Sequence, residues 1–445
     1  MKIVIIGAGA VGFDLARTVI QREHDVVVVE QDAERLAAVQ DVLDCRVVQG
    51  NGVSPRILQQ VGMANTDLIA AVSDRDEINI IACLTAHRLG ARVKVARVRQ
   101  EAYYVEGRLV LEGLDLAINP AHEAVHAIRE ILFQTGATEV HELAGGRVRI
   151  VGARVEADSY VAGKALQEID TELGGRIALV TTIVRGDETL IPRGNTVIEP
   201  NDLIYLAGER SIVDRSLYYI HAQREPLTRV MIVGANAMGR ELARDLLANG
   251  IKVKLIDRSE EKCRLAAEQL HRALVLHGDA SDTDLLASEG VADMDGFVSV
   301  SAEEETNIMA CLLARHLGAR KTVCLVDRPD YVPLLPLLGV DAAVSPRLST
   351  SAWIARFVKR GAVISAEHLG FSGAELLQFR VGARSRVVGK PLQKLNFPRE
   401  AVMVAVLEQG RVVVPRGDTV LGSGDEVVVF ALPDGVAAVE RFFAD

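Results

Sequence analysis

The sequence has no apolar run long enough to cross a lipid bilayer. The longest stretch without Asp, Glu, Lys or Arg is eleven residues, from Ile3 to Phe13, whereas a membrane-spanning helix needs about 20 apolar residues. The start of the chain also lacks the charged segment, apolar core and cleavage site that follow one another in an export signal. We therefore expect a chain that neither spans a membrane nor is exported.

Cysteines are few, and acidic residues outnumber basic ones. The five cysteines form no CxxC pair, which argues against both a disulfide framework and a zinc site. We therefore expect a reducing, cytoplasmic location and no bound metal. The formal net charge is -10. Sequence-independent binding of nucleic acid depends on Lys and Arg at the phosphates, so this charge argues against a nucleic-acid partner.

Motifs for common catalytic chemistry are missing as well. The sequence contains no GxSxG, no HExxH and no His/Cys cluster at metal-ligand spacing. A dehydrogenase would need a second domain that supplies acid–base groups and a substrate pocket, and the β-rich segments of this chain offer few candidates. We therefore predict no catalytic residues, and interpret any bound nucleotide as a signal and not as a hydride donor.

What the 445 residues do contain is a duplication. Seven short landmarks recur after a nearly constant shift of 223 to 228 residues. Three of these pairs are Ile3–Gly12 with Val230–Gly239, Ser73–Asn79 with Ser301–Asn307, and Val161–Lys164 with Val387–Lys390. A constant shift indicates two copies of one unit of about 220 residues.

Each copy divides into two parts. The first part alternates five apolar strands with helical stretches, which predicts an α/β fold with a Rossmann-like doubly wound parallel sheet. The second part has short β runs and hairpin turns, which predict a small α+β module. The predicted segments are a first Rossmann domain at 1–120, a connecting helix at 121–142, a first C-terminal module at 143–225, a second Rossmann domain at 229–345, a connecting helix at 346–365 and a second C-terminal module at 366–445.

Amphipathic helices are predicted in the two connecting segments, at 121–135 and 347–360. Each follows a capping residue and a proline, Asn119-Pro120 and Ser345-Pro346. Each also carries an apolar stripe. Such a stripe packs either into the core of its own chain or against a neighbouring subunit, and periodicity does not separate these alternatives.

A glycine-rich turn follows the first predicted strand. The GxGxxG spacing is formed by Gly7, Ala8, Gly9, Ala10, Val11 and Gly12. Gly7 permits the tight turn, Gly9 lets a pyrophosphate approach the backbone, and Gly12 lets helix and strand pack closely. The amides at the start of the helix then hold the phosphates. The other interpretation is a tight turn without a ligand.

Four further residues are predicted to line the same cleft. Glu30 ends the second strand, 18 residues beyond Gly12. A carboxylate there accepts hydrogen bonds from the ribose hydroxyls and repels a 2′-phosphate, which favours NAD(H) over NADP(H). Ser73 and Asp74 follow the fourth strand, where they either line the adenosine or cap the next helix. Arg97, at the end of the fifth strand, either binds phosphate or forms an ordinary surface ion pair.

The second copy repeats this pattern in part. Gly234 and Gly239 are kept, and Asp257 ends the matching strand 18 residues beyond Gly239. Asn236 replaces the middle glycine, and its side chain is expected to crowd a pyrophosphate. The second cleft is therefore either a nucleotide site or a retained fold with a weakened or vacant pocket.

In this order, the motifs resemble the TrkA family, the cytosolic regulatory subunits of Trk-type potassium uptake systems. The resemblance rests on the glycine turn, Glu30, Ser73–Asn79, Arg97 and the C-terminal motifs Val161–Lys164 and Ile191–Gly194, and it covers essentially the whole chain. It implies RCK domains that form a gating ring, expected to be a homotetramer, beneath a separate membrane potassium pore. It also implies that NAD(H), and ATP or ADP as alternative ligands, bind in the Rossmann clefts.

Two other functions stay open, one of a different class and one of the same regulatory class. One alternative is a soluble NAD-dependent oxidoreductase with an atypical substrate domain, and substrate-dependent loss of NADH absorbance would identify it. The other is a regulator of a different cation channel or antiporter, which co-purification with a membrane partner would identify.

Overall fold

The computed structural model describes residues 1–21, 24–105, 108–109, 112–133, 137–174, 177–186, 188–220, 227–355, 363–369, 374–408 and 411–443. It confirms the predicted fold class. Each copy consists of a six-stranded parallel sheet followed by a five-stranded antiparallel sheet. None of the described helices is long and apolar enough to span a membrane.

The first parallel sheet has the strand order β3-β2-β1-β4-β5-β8. The six strands of this sheet are β1 (Lys2–Ile6), β2 (Asp25–Glu30), β3 (Arg46–Gln49), β4 (Leu68–Ala71), β5 (Val93–Arg97) and, after a separate two-stranded antiparallel sheet of β6 (Tyr104–Val105) and β7 (Arg108–Leu109), β8 (Leu116–Ile118). Its helices are α1 (Ala10–Gln21), α2 (Ala33–Val42), α3 (Pro55–Gln60) and α4 (Asp76–Arg88), and the connecting helix α5 (Pro120–Phe133) follows. The strand order reverses beside β1, so a crevice opens at the carboxyl ends of β1 and β4.

The central strand β1 is apolar throughout because both of its faces are covered. Ile3 and Ile5 pack into a core beneath α1, whereas Val4 and Ile6 pack into a second core beneath α4. Alternate side chains of a strand point to opposite faces, so a run without polar residues is what a buried parallel strand requires.

The first antiparallel module has the strand order β12-β11-β13-β10-β9. Its elements are β9 (Ala137–Leu143), β10 (Val148–Arg154), α6 (Leu166–Glu172), β11 (Leu179–Arg185), β12 (Glu188–Leu190), β13 (Leu203–Glu209) and α7 (Arg210–Ile220).

The second copy repeats this architecture. The strands of its parallel sheet are β14 (Arg229–Val233), β15 (Lys252–Asp257), β16 (Leu274–His277), β17 (Gly296–Ser299), β18 (Thr322–Leu325) and β19 (Ala342–Val344). The helices between these strands are α8 (Ala237–Ala248), α9 (Glu260–Gln269), α10 (Thr283–Ser288), α11 (Glu304–His316) and α12 (Leu335–Leu338). The connecting helix α13 (Pro346–Ala355) leads to β20 (Val363–His368), β21 (Glu375–Arg380), β22 (Ala401–Glu408), β23 (Arg411–Val413), β24 (Glu426–Ala431) and α14 (Val436–Phe443).

The two connecting helices are exchanged between the copies. Val125, Ile128 and Leu132 of α5 pack into the core of the second parallel sheet. Ile354 of α13 packs with Ile3 in the core of the first sheet. Of the two alternatives left open by the sequence, these stripes therefore lie inside the chain's own core. The predicted helix ends at 134–135 and 356–360 lie outside the described residues.

The antiparallel modules join the copies a second time. Their sheets pack against each other through one apolar cluster, in which Ile150 and Tyr205 of the first module contact a group from the second that includes Leu376 and Phe430. Since the copies share three cores, a displacement within one sheet domain is resisted by groups of the other copy.

Candidate nucleotide-binding site

The first glycine turn is held by backbone contacts on two sides. Gly7 has a φ of 103°, which a residue with a side chain rarely adopts, and a Cβ there would lie 2.9 Å from the backbone nitrogen of Ser73. A Cβ on Gly12 would lie 1.9 Å from the carbonyl oxygen of Gly7. Gly7 and Gly12 are therefore glycines because protein backbone fills the space around them.

Gly9 differs from these two glycines because its open side faces solvent. A Cβ on Gly9 would have Nη1 of Arg35 as its nearest neighbour, 3.9 Å away. Val11 is buried in the core beneath α1, whereas Ala10 is exposed at the first position of α1. Packing does not require a glycine at this position, so the open side of Gly9 suits the close approach of a ligand's phosphates.

The Glu30 carboxylate holds the glycine turn by accepting hydrogen bonds from backbone amides. Its Oε2 accepts a hydrogen bond from the amide of Ala8 at 2.7 Å, and its Oε1 accepts from the amides of Gln31 and Asp32 at 2.7 and 3.1 Å. A carboxylate has about four lone-pair positions, so acceptor capacity remains for a ribose hydroxyl. Glu30 thus positions the glycine turn as well as offering the predicted ligand contact.

Asn79 fixes the loop that carries Ser73. Its Nδ2 donates to the carbonyl oxygens of Ser73 and Arg97 at 2.9 and 2.8 Å, and its Oδ1 accepts from the amide and hydroxyl of Ser73 at 2.8 and 2.7 Å. Ser73 is therefore held as part of the scaffold. The sequence did not identify Asn79 as a site residue, although its recurrence as Asn307 could have done so.

Asp74 lies between two arginines at the mouth of the cleft. Its carboxylate accepts from Nη2 of Arg97 at 2.9 Å and from Nη1 of Arg35 at 3.5 Å. Burial raises the pKa of the Asp74 carboxyl, but the hydrogen bonds and charges of Arg97 and Arg35 outweigh this and hold the pKa below its usual value. Burial also lowers the pKa of Arg97, against the opposing effect of Asp74.

Arg35 is a second residue of the site that the sequence did not identify, and a candidate ligand contact. It lies in the first turns of α2, five residues beyond Glu30. A cation recurs at the matching place in the second copy, Lys262, and that repetition was the available signal. Arg35 brings a second positive charge to the open side of Gly9, where the sequence predicted only Arg97.

In the second cleft, the side chain of Asn236 caps helix α8 at the position where Gly9 leaves the first cleft open. Oδ1 of Asn236 accepts from the amide of Gly239 at 3.0 Å, and its Nδ2 donates to the carbonyl oxygen of Val300 at 2.6 Å. Asn236 thus occupies an amide that a phosphate would need. Asp257 keeps the role of its counterpart Glu30 and accepts from the amides of Ala235 and Ser259 at 2.7 and 2.8 Å.

A cleft nevertheless remains in the second copy, bounded in part by Gly234, Asp257, Lys262 and Asp279. Arg258 and Glu303, which form an ion pair of 2.5 Å, also line this cleft. Within the described residues, no group of three or more His, Cys, Asp or Glu side chains is placed to hold a metal ion.

These features define a class of protein: paired Rossmann-type domains with nucleotide-binding architecture, interlocked by exchanged helices and each followed by an antiparallel module. The family model of the TrkA-N domain matches the sequence at residues 3–120 and 230–346, and the family model of the TrkA-C domain matches it at residues 150–217 and 376–444. The chain belongs to the TrkA family, which confirms the resemblance noted in its sequence.

Curated relatives match the chain along its full length. It is 33% identical to Trk system potassium uptake protein TrkA homolog 2 of Methanosarcina mazei, with 100% of both chains covered. It is also 33% identical to Trk system potassium uptake protein TrkA of Halomonas elongata, where the match covers 100% of this chain and 98% of the relative.

Solved structures share the fold. The GsuK channel bound to NAD superposes with a TM-score of 0.60 at 21% identity, covering 99% of this chain and 78% of that one. A structure of GsuK bound to ADP gives a TM-score of 0.50 at 17% identity, covering 80% of this chain and 68% of the other.

Proposed function

We propose that the chain is the nucleotide-sensing regulatory subunit of a Trk-type potassium transporter, and that it gates a separate membrane pore. One observation carries this proposal. The elements that flank the first glycine turn, β1 and α1, share their core with Ile354 of the second copy's connecting helix. A ligand at the turn therefore contacts elements packed directly on the other half of the molecule, as a coupling between distant sites requires.

The ligands we propose for the first cleft are NAD(H) and, as alternatives, ATP or ADP. The open side of Gly9, the carboxylate of Glu30 and the cations Arg35 and Arg97 together fit a ribose joined to phosphates. GsuK, which shares the fold, has been solved with NAD and with ADP. The site roles of Gly7, Gly9, Gly12, Glu30, Ser73, Asp74 and Arg97, and of Gly234, Gly239 and Asp257, remain predictions.

We propose that the chain is not an enzyme. The antiparallel modules bury one sheet face against each other, so these faces are not available to complete a substrate pocket over the nicotinamide. An NAD-dependent oxidoreductase would need such a pocket with an acid–base group. Purified protein that binds NADH without substrate-dependent loss of its absorbance supports the regulatory function, whereas a saturable loss supports the oxidoreductase.

The assembly we propose is a homotetrameric ring on the cytoplasmic face of the membrane, held there by the pore. Two exposed apolar side chains recur at matched positions, Ile81 of α4 at 47% exposure and Met309 of α11 at 51%. Leu337 and Leu338 of α12 are 64% and 61% exposed. Such side chains suit contacts between copies of the chain.

The division of the sequence into six segments, from the first Rossmann domain at 1–120 to the second C-terminal module at 366–445, also stays a prediction.

Co-purification tests the partner. The full chain is expected to remain bound to the Trk-type membrane subunit in detergent. When purified without that subunit, it is expected to elute from a gel-filtration column with the mass of a tetramer, as measured by light scattering. Recovery of a different cation channel or antiporter would instead support the other regulatory alternative.

A further inference from the structure

The ion pairs of the first cleft form one chain of charges that we call the Asp74 bridge, made of Arg97, Asp74 and Arg35. It links the end of β5 to α2 and passes over the open side of the glycine turn. The contacts are 2.9 Å from Asp74 to Arg97 and 3.5 Å from Asp74 to Arg35. Arg35 is also the nearest neighbour of the position that a Cβ on Gly9 would take. The carboxylate thus lies beside the turn that is built to receive phosphates.

The two ends of the bond between Arg97 and Asp74 differ sharply in burial. The Arg97 side chain is 10% exposed, whereas that of Asp74 is 65% exposed. In addition, Nε of Arg97 is buried and has no hydrogen-bond partner within the described residues. A buried guanidinium with an unused donor is costly unless an anion satisfies it. An exposed carboxylate at one end satisfies it only in part.

The neighbouring Asp76 and Arg99 side chains have partners other than the Asp74 carboxylate. Asp76 is buried and accepts from the amides of Arg99 and Gln100, both at 2.8 Å. Arg99 contacts Asp76 through Nε at 3.5 Å and donates from Nη2 to the backbone oxygen of Asp74. Asp74 is therefore the carboxylate shared by Arg35 and Arg97.

The second copy lacks this arrangement. Ala302 stands where the first copy has Asp74, and Leu325 stands where it has Arg97. The backbone scaffold around them is retained, because Asn307 accepts from the amide of Ser301 and donates to the carbonyl oxygens of Ser301 and Leu325, as Asn79 does at the matching backbone positions of the first copy. Since the fold is kept without the bridge, the architecture of the sheet does not require these charges.

We propose that Asp74 is a resident counter-ion that a nucleotide phosphate replaces. The ligand's phosphate takes over Arg97 and Arg35, and the Asp74 side chain leaves both arginines. Arg35 is thereby a phosphate-binding residue, and the first cleft favours adenosine di- and triphosphate groups over the bare nucleoside. This inference rests on the proposed function, because it requires nucleotide binding in the first cleft.

Calorimetric titration of the full chain with adenosine, AMP, ADP and ATP tests the replacement. Asp74→Asn removes the competing charge from an exposed side chain, so we expect ATP to bind about fivefold more tightly and adenosine to bind unchanged. Arg35→Gln removes a phosphate contact, so we expect ATP to bind about tenfold more weakly and adenosine again unchanged.

Matched controls lie outside the cleft. Asp44→Asn and Arg92→Gln make the same charge changes at exposed positions at the opposite end of the sheet strands, and both should leave ATP affinity within twofold of the wild type. An Asp74→Asn gain matched by Asp44→Asn would overturn the proposal, because it would reflect net charge alone. So would an equal gain for adenosine and ATP.

Two results separate this inference from the proposed function. Wild-type protein that binds ATP while Asp74→Asn changes nothing overturns the replacement alone. Wild-type protein that binds none of the four compounds, nor NADH, overturns both. A crystal structure with ADP supplies an independent test: the proposal expects the 2.9 Å contact between Asp74 and Arg97 to be broken, and its persistence beside bound ADP would contradict the proposal.

Discussion

Asp14 in α1 of the first copy forms an ion pair with Arg347 in α13 of the second. Asp14 is buried and also lies 3.4 Å from Arg17. A hydrogen bond between Nδ1 of His122 in α5 and Oε1 of Glu241 in α8 makes a second link of this topology. The helix that opens at each glycine turn is therefore tied to the connecting helix of the opposite copy.

Breaking the Asp14–Arg347 pair should destabilise the chain more than breaking a surface pair. Arg347→Met leaves a buried carboxylate with only its Arg17 contact, so we expect a loss of about 3 kcal/mol in the free energy of unfolding. Arg92→Met is the control, because Arg92 is 79% exposed beside Asp67 and should cost about 0–1 kcal/mol. Urea unfolding measures both variants, and equal midpoints would contradict the structural importance of the pair.

The glycines at the first turn should separate ligand binding from folding. Gly9→Ala adds a Cβ to open space, so its thermal unfolding should match the wild type while NADH affinity falls at least about tenfold. Gly12→Ala forces a Cβ against the Gly7 carbonyl, so it should lower the unfolding temperature. Differential scanning calorimetry and NADH titration distinguish the two. A Gly9→Ala variant with wild-type NADH affinity would remove Gly9 from the site.

Glu30→Ala should weaken NADH binding because it removes both a ribose acceptor and the carboxylate that holds the Ala8 amide. Hydrogen bonds to a charged group contribute about 1.5–3 kcal/mol, which corresponds to roughly 10- to 150-fold in affinity. Isothermal calorimetry measures this change, and near-ultraviolet circular dichroism checks that the fold is kept. Wild-type affinity in this variant would show that Glu30 acts on the turn alone.

Asn236→Gly should open the second cleft to a dinucleotide. The variant frees the amide of Gly239 and the oxygen of Val300, and an Asn-to-Gly change at a helix N-cap costs only a few tenths of a kcal/mol. We expect the calorimetric stoichiometry for NADH to rise from one to two per chain. If wild-type protein already binds two, Asn236 is not a barrier.

The sequence predicted the parts of the fold and site that depend on local pattern. The apolar strands, the glycine turn and Glu30 follow from spacing alone, because each is set by residues close together in the chain. The sixth strand of each parallel sheet, Leu116–Ile118 and Ala342–Val344, was missed, since three residues are too few to show a period.

The remaining features depend on contacts between residues far apart in sequence. Arg35 and Asp74 are 39 residues apart, and neither position alone predicts that they meet over Gly9. The exchange of α5 and α13 between the copies could not be predicted either. An apolar stripe shows that one face of a helix is buried, but it does not show which element buries it. For Asn236, the sequence predicted only that its side chain would crowd a pyrophosphate. The structure shows that it is also a helix cap, through its hydrogen bonds with Gly239 and Val300.

Potassium flux through the reconstituted complex shows whether a nucleotide bound to this chain gates the membrane pore. Vesicles that contain the membrane subunit and this chain would be titrated with NAD, NADH, ATP and ADP, beside vesicles that carry the Gly9→Ala chain. We expect a flux that changes with at least one nucleotide for the wild-type chain and stays constant for the Gly9→Ala chain. A wild-type flux indifferent to all four nucleotides would contradict this expectation.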